Sequence, residues 1–286
     1  MTSKENGTSE SFISGAKINL WVAPTDTSSL VQTPESFFFM LGEREQEKYR
    51  KLQLDNDKRS YLASRVLLRT ALSKTVRDQI PPELWLFEDG THGKPAIAKT
   101  QLTSLPVPAP CFSLSHARHL VVVAICPNLL GSFDSAIGVD VEPFNISTSR
   151  FSIDAALTKS EKKTLESLSI RARAAETVKL WTAKEAYAKM IGQGVSLDFT
   201  TFEIALDPTH LVRSANHAVD PDNVFFCSRM LHFRHTTYFL TLAMYRPPGP
   251  DPVIVEHILD DPYVRDHSRT DAMEGDEHGR MATTYT

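Results

Sequence analysis

The chain has 286 residues, of which 41% are hydrophobic and 23% charged, and a formal net charge of −4. That composition suits a globular protein of one large or two small domains. The longest wholly apolar run, Leu120 to Cys126, falls far short of the roughly 20 residues that a membrane-spanning helix needs. The charge is unevenly placed: Pro247 to Thr286 holds nine acids against three arginines, which leaves residues 1–246 at +2. No dense basic stripe marks a nucleic-acid surface. Cys111, Cys126 and Cys227 have no metal or redox spacing and read as buried thiols of a reducing, cytoplasmic setting.

Residues 1–15, rich in Ser, Thr, Glu and Asn, read as a disordered leader with no apolar core for secretion. Lys17 to Ala23 alternates as a strand. Leu41 to Leu54 and Lys58 to Lys74 read as helices, the second with Tyr61, Leu62, Val66, Leu68 and Leu72 as its apolar positions. Pro81-Pro82 breaks the pattern. Leu84 to Glu88 is a short strand, Thr91 to Pro95 a turn, and Cys111 to Ser115 leads into a strand over Leu120 to Cys126. The pattern relaxes at Pro127 to Ser135, where a boundary divides a first subdomain (16–134) from a second (135–246).

The second unit opens with a strand over Ala136 to Glu142. Thr158 and Glu161 form a capping box ahead of a helix over Lys162 to Leu168. Ala172 to Ile191 is a long helix stopped by Gly192 and Gly194. Phe199–Leu206, Val224–Leu231 and Tyr238–Tyr245 follow as strands. Residues 247–286 read as an acidic, disordered tail, with the apolar Val253-Ile254-Val255 as a stretch that could dock. Each half thus runs strand, helices, strands, an α+β pattern of two related subdomains, although no residue-level repeat accompanies it.

Two motifs carry chemistry. In Gly138-Val139-Asp140-Val141-Glu142, the alternation of a strand aims both acids one way and the hydrophobic residues the other. In Trp181-Thr182-Ala183-Lys184-Glu185-Ala186-Tyr187-Ala188-Lys189, helical spacing sets Trp181, Glu185 and Lys189 on one face, each about 40° on from the last. Lys184 lies about 140° round from Lys189. Three carboxylates (Asp140, Glu142, Glu185) bordered by lysine suit Mg²⁺ holding a phosphate ester, because Mg²⁺ takes oxygen ligands and shares them with substrate phosphates. Mn²⁺ is the alternative. Alone, each residue has a bland reading: a solvated strand edge, a core Trp, a solvated helix-end Lys.

Together the motifs resemble the signature of the 4′-phosphopantetheinyl transferases of the Sfp type. His92-Gly93-Lys94-Pro95 is similar to that family's GKP turn. Phe112-Ser113-Leu114-Ser115-His116 is similar to its FN-x-SH element, with Ser113 in place of Asn, a departure read as of little consequence. Arg59 to Arg69 resembles the helix before the turn, and the likeness runs over about residues 17–246. It implies a pseudo-twofold pair of subdomains with coenzyme A between them, and transfer of its phosphopantetheine arm to a carrier-protein serine, releasing 3′,5′-adenosine bisphosphate.

The resemblance further implies Asp140, Glu142 and Glu185 as metal ligands, Lys189 on the pyrophosphate, and Glu185 as general base, with Asp140 acting through a water as its competitor. Lys48, Gly93, Lys94, Pro95, Ser115 and His116 would hold coenzyme A, chiefly its nucleotide end. Arg65 and Arg69 are left unassigned. The partner would be an acidic carrier domain of fatty-acid, polyketide, nonribosomal-peptide or aminoadipate-reductase type, docking near Trp181 and the loop after Gly192 on a monomeric enzyme. A Mg²⁺ phosphohydrolase and a non-catalytic coenzyme A-binding module are the competing readings.

Overall fold

The computed structural model describes residues 16–105, 109–126, 137–144, 153–246, 248–260 and 262. The leader over 1–15, the boundary at 127–135 and the end of the tail lie outside them. In chain order the elements are β1 (Lys17–Pro24), α1 (Ser28–Gln32), α2 (Glu43–Lys51), α3 (Asp55–Thr75), β2 (Phe87–Asp89), β3 (Pro95–Ile97), α4 (Lys99–Leu102), β4 (Cys111–Ala117), β5 (Leu120–Cys126) and β6 (Ile137–Phe144). There follow α5 (Lys159–Glu166), α6 (Ile170–Met190), β7 (Glu203–Leu206), β8 (Thr209–Arg213), β9 (Val224–Phe233), β10 (Thr236–Tyr245) and β11 (Val253–Ile258).

The halves share one topology. In the first, β1, β4 and β5 form an antiparallel sheet in the order β1-β5-β4; in the second, β6, β9 and β10 follow the order β6-β10-β9. Each half places a 21-residue helix (α3 or α6) after its first strand, then a two-stranded ribbon (β2-β3 or β7-β8), then the hairpin. A residue-level trace does survive. Both hairpins turn on an Arg-His pair, Arg118-His119 and Arg234-His235, with each arginine in the left-handed region (φ 46° and 52°). Asp26 pairs with His119 (3.2 Å) and Arg234 (2.6 Å), so the two turns meet.

Alternation along the strands builds the layers. Ile18, Leu20 and Val22 of β1 and Val122 and Ala124 of β5 face Ile137, Val139 and Val141 of β6 and Leu240 and Leu242 of β10, a core shared by both sheets. On the opposite face of the first sheet, Trp21, Phe112, Val121 and Val123 pack against Leu62, Val66 and Leu67 of α3. Ala183, Ala186 and Tyr187 of α6 cover the second sheet. Burying these faces supplies most of the helical stability.

Several expectations are corrected. Val253–Ile258 is not disordered: as β11 it adds to the first sheet, parallel to β1, with Trp21 opposite His257. The two rings stack at 3.9 Å between centroids. Thus the tail begins as part of the fold, since three successive apolar residues beside an open sheet edge can pair where an acidic stretch cannot. The strand expected at Leu84–Glu88 starts at Phe87, because Pro82–Leu84 forms a 3₁₀ turn. In Phe199–Leu206 only Glu203–Leu206 is extended, Asp198 capping a 3₁₀ turn before it. Cys111 and Cys126 are buried, whereas Cys227 is half-exposed, and none of the three forms a disulfide. No helix among the described residues is long and apolar enough to cross a membrane.

Candidate active site

β6 carries its apolar residues into the sheet–sheet core and its acids toward α6. The approach is close: a Cβ on Gly138 would lie 1.9 Å from the carbonyl oxygen of Ala186 and 2.5 Å from the Met190 nitrogen. Only glycine lets β6 lie this near the helix. On the other side, Val139 N donates to Ser113 Oγ at 3.0 Å, which stitches β6 to β4. Ser113, treated as a minor departure in the sequence, is therefore a strand-to-strand tie.

Asp140 is the centre of the cluster and is 4% exposed. Its Oδ1 accepts from Ser115 Oγ at 2.8 Å and from Lys189 Nζ at 2.7 Å, and Lys189 Nζ also donates to Ser115 Oγ at 3.2 Å. Its Oδ2 is buried without a hydrogen-bond partner among the described residues. Burial first, then the Asp140 charge, pushes Glu142 up to about 7, against a hydrogen bond from Trp181 and the Lys189 charge. The same two causes raise the Glu185 carboxyl. Two carboxyls raised by burial and by the Asp140 charge, beside an unmatched carboxylate oxygen of Asp140 itself, fit a hard divalent cation in donor type and in charge. No group of three His, Cys, Asp or Glu side chains among the described residues converges on a ready-made metal position.

The remaining expected residues divide. Gly93 and Pro95 line a cavity of about 190 Å³ that reaches Lys189, Gly192 and Gly194. His116 is exposed on the α3 side of β4, within electrostatic range of Lys189, Asp140, Asp57 and Arg65. Lys48 is exposed, its Nζ 5.6 Å from the centroid of the Tyr61 ring, and no bond among the described residues ties it to the Asp140 cluster. Ser115 Oγ donates to Asp140. Lys94 also departs from expectation, since its ammonium turns inward onto backbone carbonyls.

Lys184 is a structural residue. It is fully buried, pairs with Glu161 at 2.9 Å, and donates to the carbonyls of Phe199 and Phe202. It therefore cannot meet a carrier. Arg65, left unassigned in the sequence, lies 5.0 Å from the Tyr61 ring, beside which Lys48 also sits, and within electrostatic range of His116; its Nε pairs with Glu45 at 3.4 Å, and its Nη1 is buried and without a hydrogen bond among the described residues. Its spacing on α3 could have placed it one turn from Tyr61. Arg69 pairs with the same Glu45 carboxylate. A cavity of about 660 Å³ between α5, α6 and β7 contains none of the candidate residues.

Comparison with known proteins gives a consistent family. A family model described as "4′-phosphopantetheinyl transferase superfamily" matches residues 136–240. A second, "4′-phosphopantetheinyl transferase, N-terminal", matches 31–128. The chain is 28% identical over 183 residues to a Synechocystis sp. protein provisionally assigned as a 4′-phosphopantetheinyl transferase, covering 62% of this chain and 65% of that one. It is 29% identical over 179 residues to a phosphopantetheinyl transferase of Thraustochytrium sp. (58% of each). It is 27% identical over 176 residues to the 4′-phosphopantetheinyl transferase Sfp of Bacillus subtilis (60% and 69%). The chain thus spans less than two thirds of the first two relatives. A solved holo-(acyl-carrier-protein) synthase from Bacillus anthracis, in complex with coenzyme A, aligns at 19% identity over 39% of this chain and 96% of that one, with a TM-score of 0.31.

Proposed function

Because this chain belongs to the 4′-phosphopantetheinyl transferase superfamily, we propose that it transfers the phosphopantetheine arm of coenzyme A to a serine of an apo carrier protein. The observation that carries the reading is the Ser115–Asp140–Lys189 cluster flanked by Glu142 and Glu185 where the two halves meet. The carrier serine oxygen attacks the phosphorus that bears the pantetheine. The bond from that phosphorus to the bridging pyrophosphate oxygen breaks, and 3′,5′-adenosine bisphosphate departs with it.

Positioning and charge neutralisation do most of the work in such a transfer. Asp140, Glu142 and Glu185 would hold Mg²⁺, or Mn²⁺, and the bound ion would neutralise charge on the leaving phosphate. Lys189 supplies an ammonium, one-quarter exposed, that would turn from Asp140 to the pyrophosphate. Glu185, with its carboxyl raised by burial, takes the serine proton more readily than an ordinary carboxylate would. Asp140, already accepting two hydrogen bonds at Oδ1, is the weaker candidate for base. Lys48 and Arg65, both beside the Tyr61 ring, with His116 as a neutral donor, would meet the phosphates of the nucleotide end, and Gly93 and Pro95 border a cavity that reaches Lys189. The partner is an acidic carrier domain, and the enzyme works as a cytoplasmic monomer.

Intact-mass spectrometry of an apo carrier incubated with the protein, coenzyme A and Mg²⁺ tests this. A gain of one phosphopantetheine, abolished by EDTA, is expected. Free phosphopantetheine released without a carrier would instead support a hydrolase. Coenzyme A binding without transfer across fatty-acid, polyketide, nonribosomal-peptide and aminoadipate-reductase carriers would support a binding module.

A further inference from the structure

We infer that Lys94 is a positioning residue that ties the first half of the molecule to the Asp140–Lys189 pair, and that its ammonium does not bind the nucleotide. The inference deepens the transferase reading and rests on it. Lys94 Nζ donates to the carbonyl oxygen of Lys189 at 2.9 Å and to that of Ile137 at 3.1 Å. Lys189 is the residue whose ammonium bonds Asp140, and Ile137 opens the strand that carries Asp140 three residues later. One cation from the first half therefore bridges the two elements that bring this pair together.

The local structure aims it there. The β2–β3 ribbon ends in a turn in which His92 and Gly93 both adopt positive φ (59° and 78°), and the turn closes as Gly90 N donates to the Lys94 carbonyl at 2.8 Å. The Lys94 backbone is thus fixed before its side chain crosses to α6. The carbonyls at a helix C-terminus carry partial negative charge and favour a cation. Burial lowers Lys94 to about 8, so it remains mostly protonated at neutral pH. Turning the ammonium onto a nucleotide phosphate would strip that donor from both carbonyls and leave the end of α6 untied.

The test is a double-mutant cycle of Lys94→Met and Lys189→Met. It reads kcat for transfer and, by calorimetry, the Kd for 3′,5′-adenosine bisphosphate. Misplacing a reacting group by a fraction of an ångström to an ångström costs on the order of 10- to 100-fold in rate. Lys94→Met is expected to lower kcat by that factor with the bisphosphate Kd unchanged. In the Lys189→Met background it should cost little more, because residues acting through one another are non-additive. A weakened bisphosphate Kd with kcat retained would overturn the inference, as would an equal kcat loss in both backgrounds. Should Lys94→Met not fold, Lys94→Arg, which keeps donors on a longer head, replaces it with the same readings and smaller losses. Absence of transfer by the unmodified protein would sink the transferase reading itself, while the bisphosphate Kd would still report whether Lys94 touches the nucleotide.

Discussion

Arg69 is the fifteenth residue of α3 and Lys184 the fifteenth of α6, and each is a buried cation bound to the glutamate whose carboxylate accepts from the N-cap amide of the preceding short helix, Glu45 of α2 (from Gly42) or Glu161 of α5 (from Thr158). The next residue differs in kind: Thr70 in the first half, Glu185 in the second. Aligning the hairpin turns carries the comparison into the sheets. Asp140 lies opposite Thr241, and the matching position of β5, Ile125, lies opposite Asn19; by the same step Glu142 corresponds to Trp21 and Gly138 to Lys17. Asn19 bonds to His257 and Trp21 stacks on it, so the first half uses these positions to seat β11. Without a glycine there, α3 packs chiefly on β5, whereas α6 lies directly over β6 and β10. One scaffold therefore serves two ends, and a few side chains decide which half holds the acids.

The sharpest way to break this comparison is at the paired helix positions. Glu185→Gln should lower transfer by about 10²- to 10⁴-fold, the usual worth of a positioned base, while coenzyme A still binds. Thr70→Val, at the corresponding point of α3, should leave kcat as it is. Equal losses in a steady-state assay would mean the halves are not functionally divided at this point. Next in size is the buried ion pair. Glu161→Ala strands the fully buried Lys184 and should cost about 3–5 kcal/mol in urea unfolding. Glu45→Ala should cost less, because the Glu45 side chain is 14% exposed and water can reach its partners. The reverse order would show that the two pairs are not equivalent parts of one plan.

How much of this was legible in the sequence follows from what each signal encodes. Trp181, Glu185 and Lys189 share a helix face by spacing alone, and the alternation in β6 separates acids from core, so local period sufficed there. The inward course of Lys94 and Ser115 was not legible, because it depends on β4 and β6 lying side by side, and a motif read in isolation carries no such neighbour. The buried, structural place of Lys184 becomes visible only once Glu161 reaches it from α5. β11 was legible only as an apolar stretch that could dock, because its partner, β1, lies more than 200 residues away and the acids around it dominate its composition.

Gly138→Ala probes why only the second half closes on its helix. The added methyl would press on the Ala186 carbonyl and the Met190 amide, backbone atoms that cannot swing aside. A loss of about 1–3 kcal/mol is expected from such overpacking. Transfer should fall with it as Asp140 withdraws from Lys189, and unchanged unfolding would disprove the close approach.

The smallest effect is the pH response of the acids, and it has no counterpart at Asn19 and Trp21. Glu142 is held up to about 7 chiefly by burial and by Asp140, against an ordinary value of 4.5. Between those values the folded chain binds more protons than the unfolded one, so without divalent metal this group's contribution to stability declines as pH rises through that window. A cation bound only by the ionised carboxylates stabilises the folded form by mass action, and more strongly above the window than below it. Calorimetry at pH 5.5 and pH 8 should therefore show a larger Mg²⁺-induced rise in Tm at pH 8. Glu142→Gln should narrow that difference. An equal rise at both pH values would place the ion away from Glu142 and leave Asp140 and Glu185 to hold it alone.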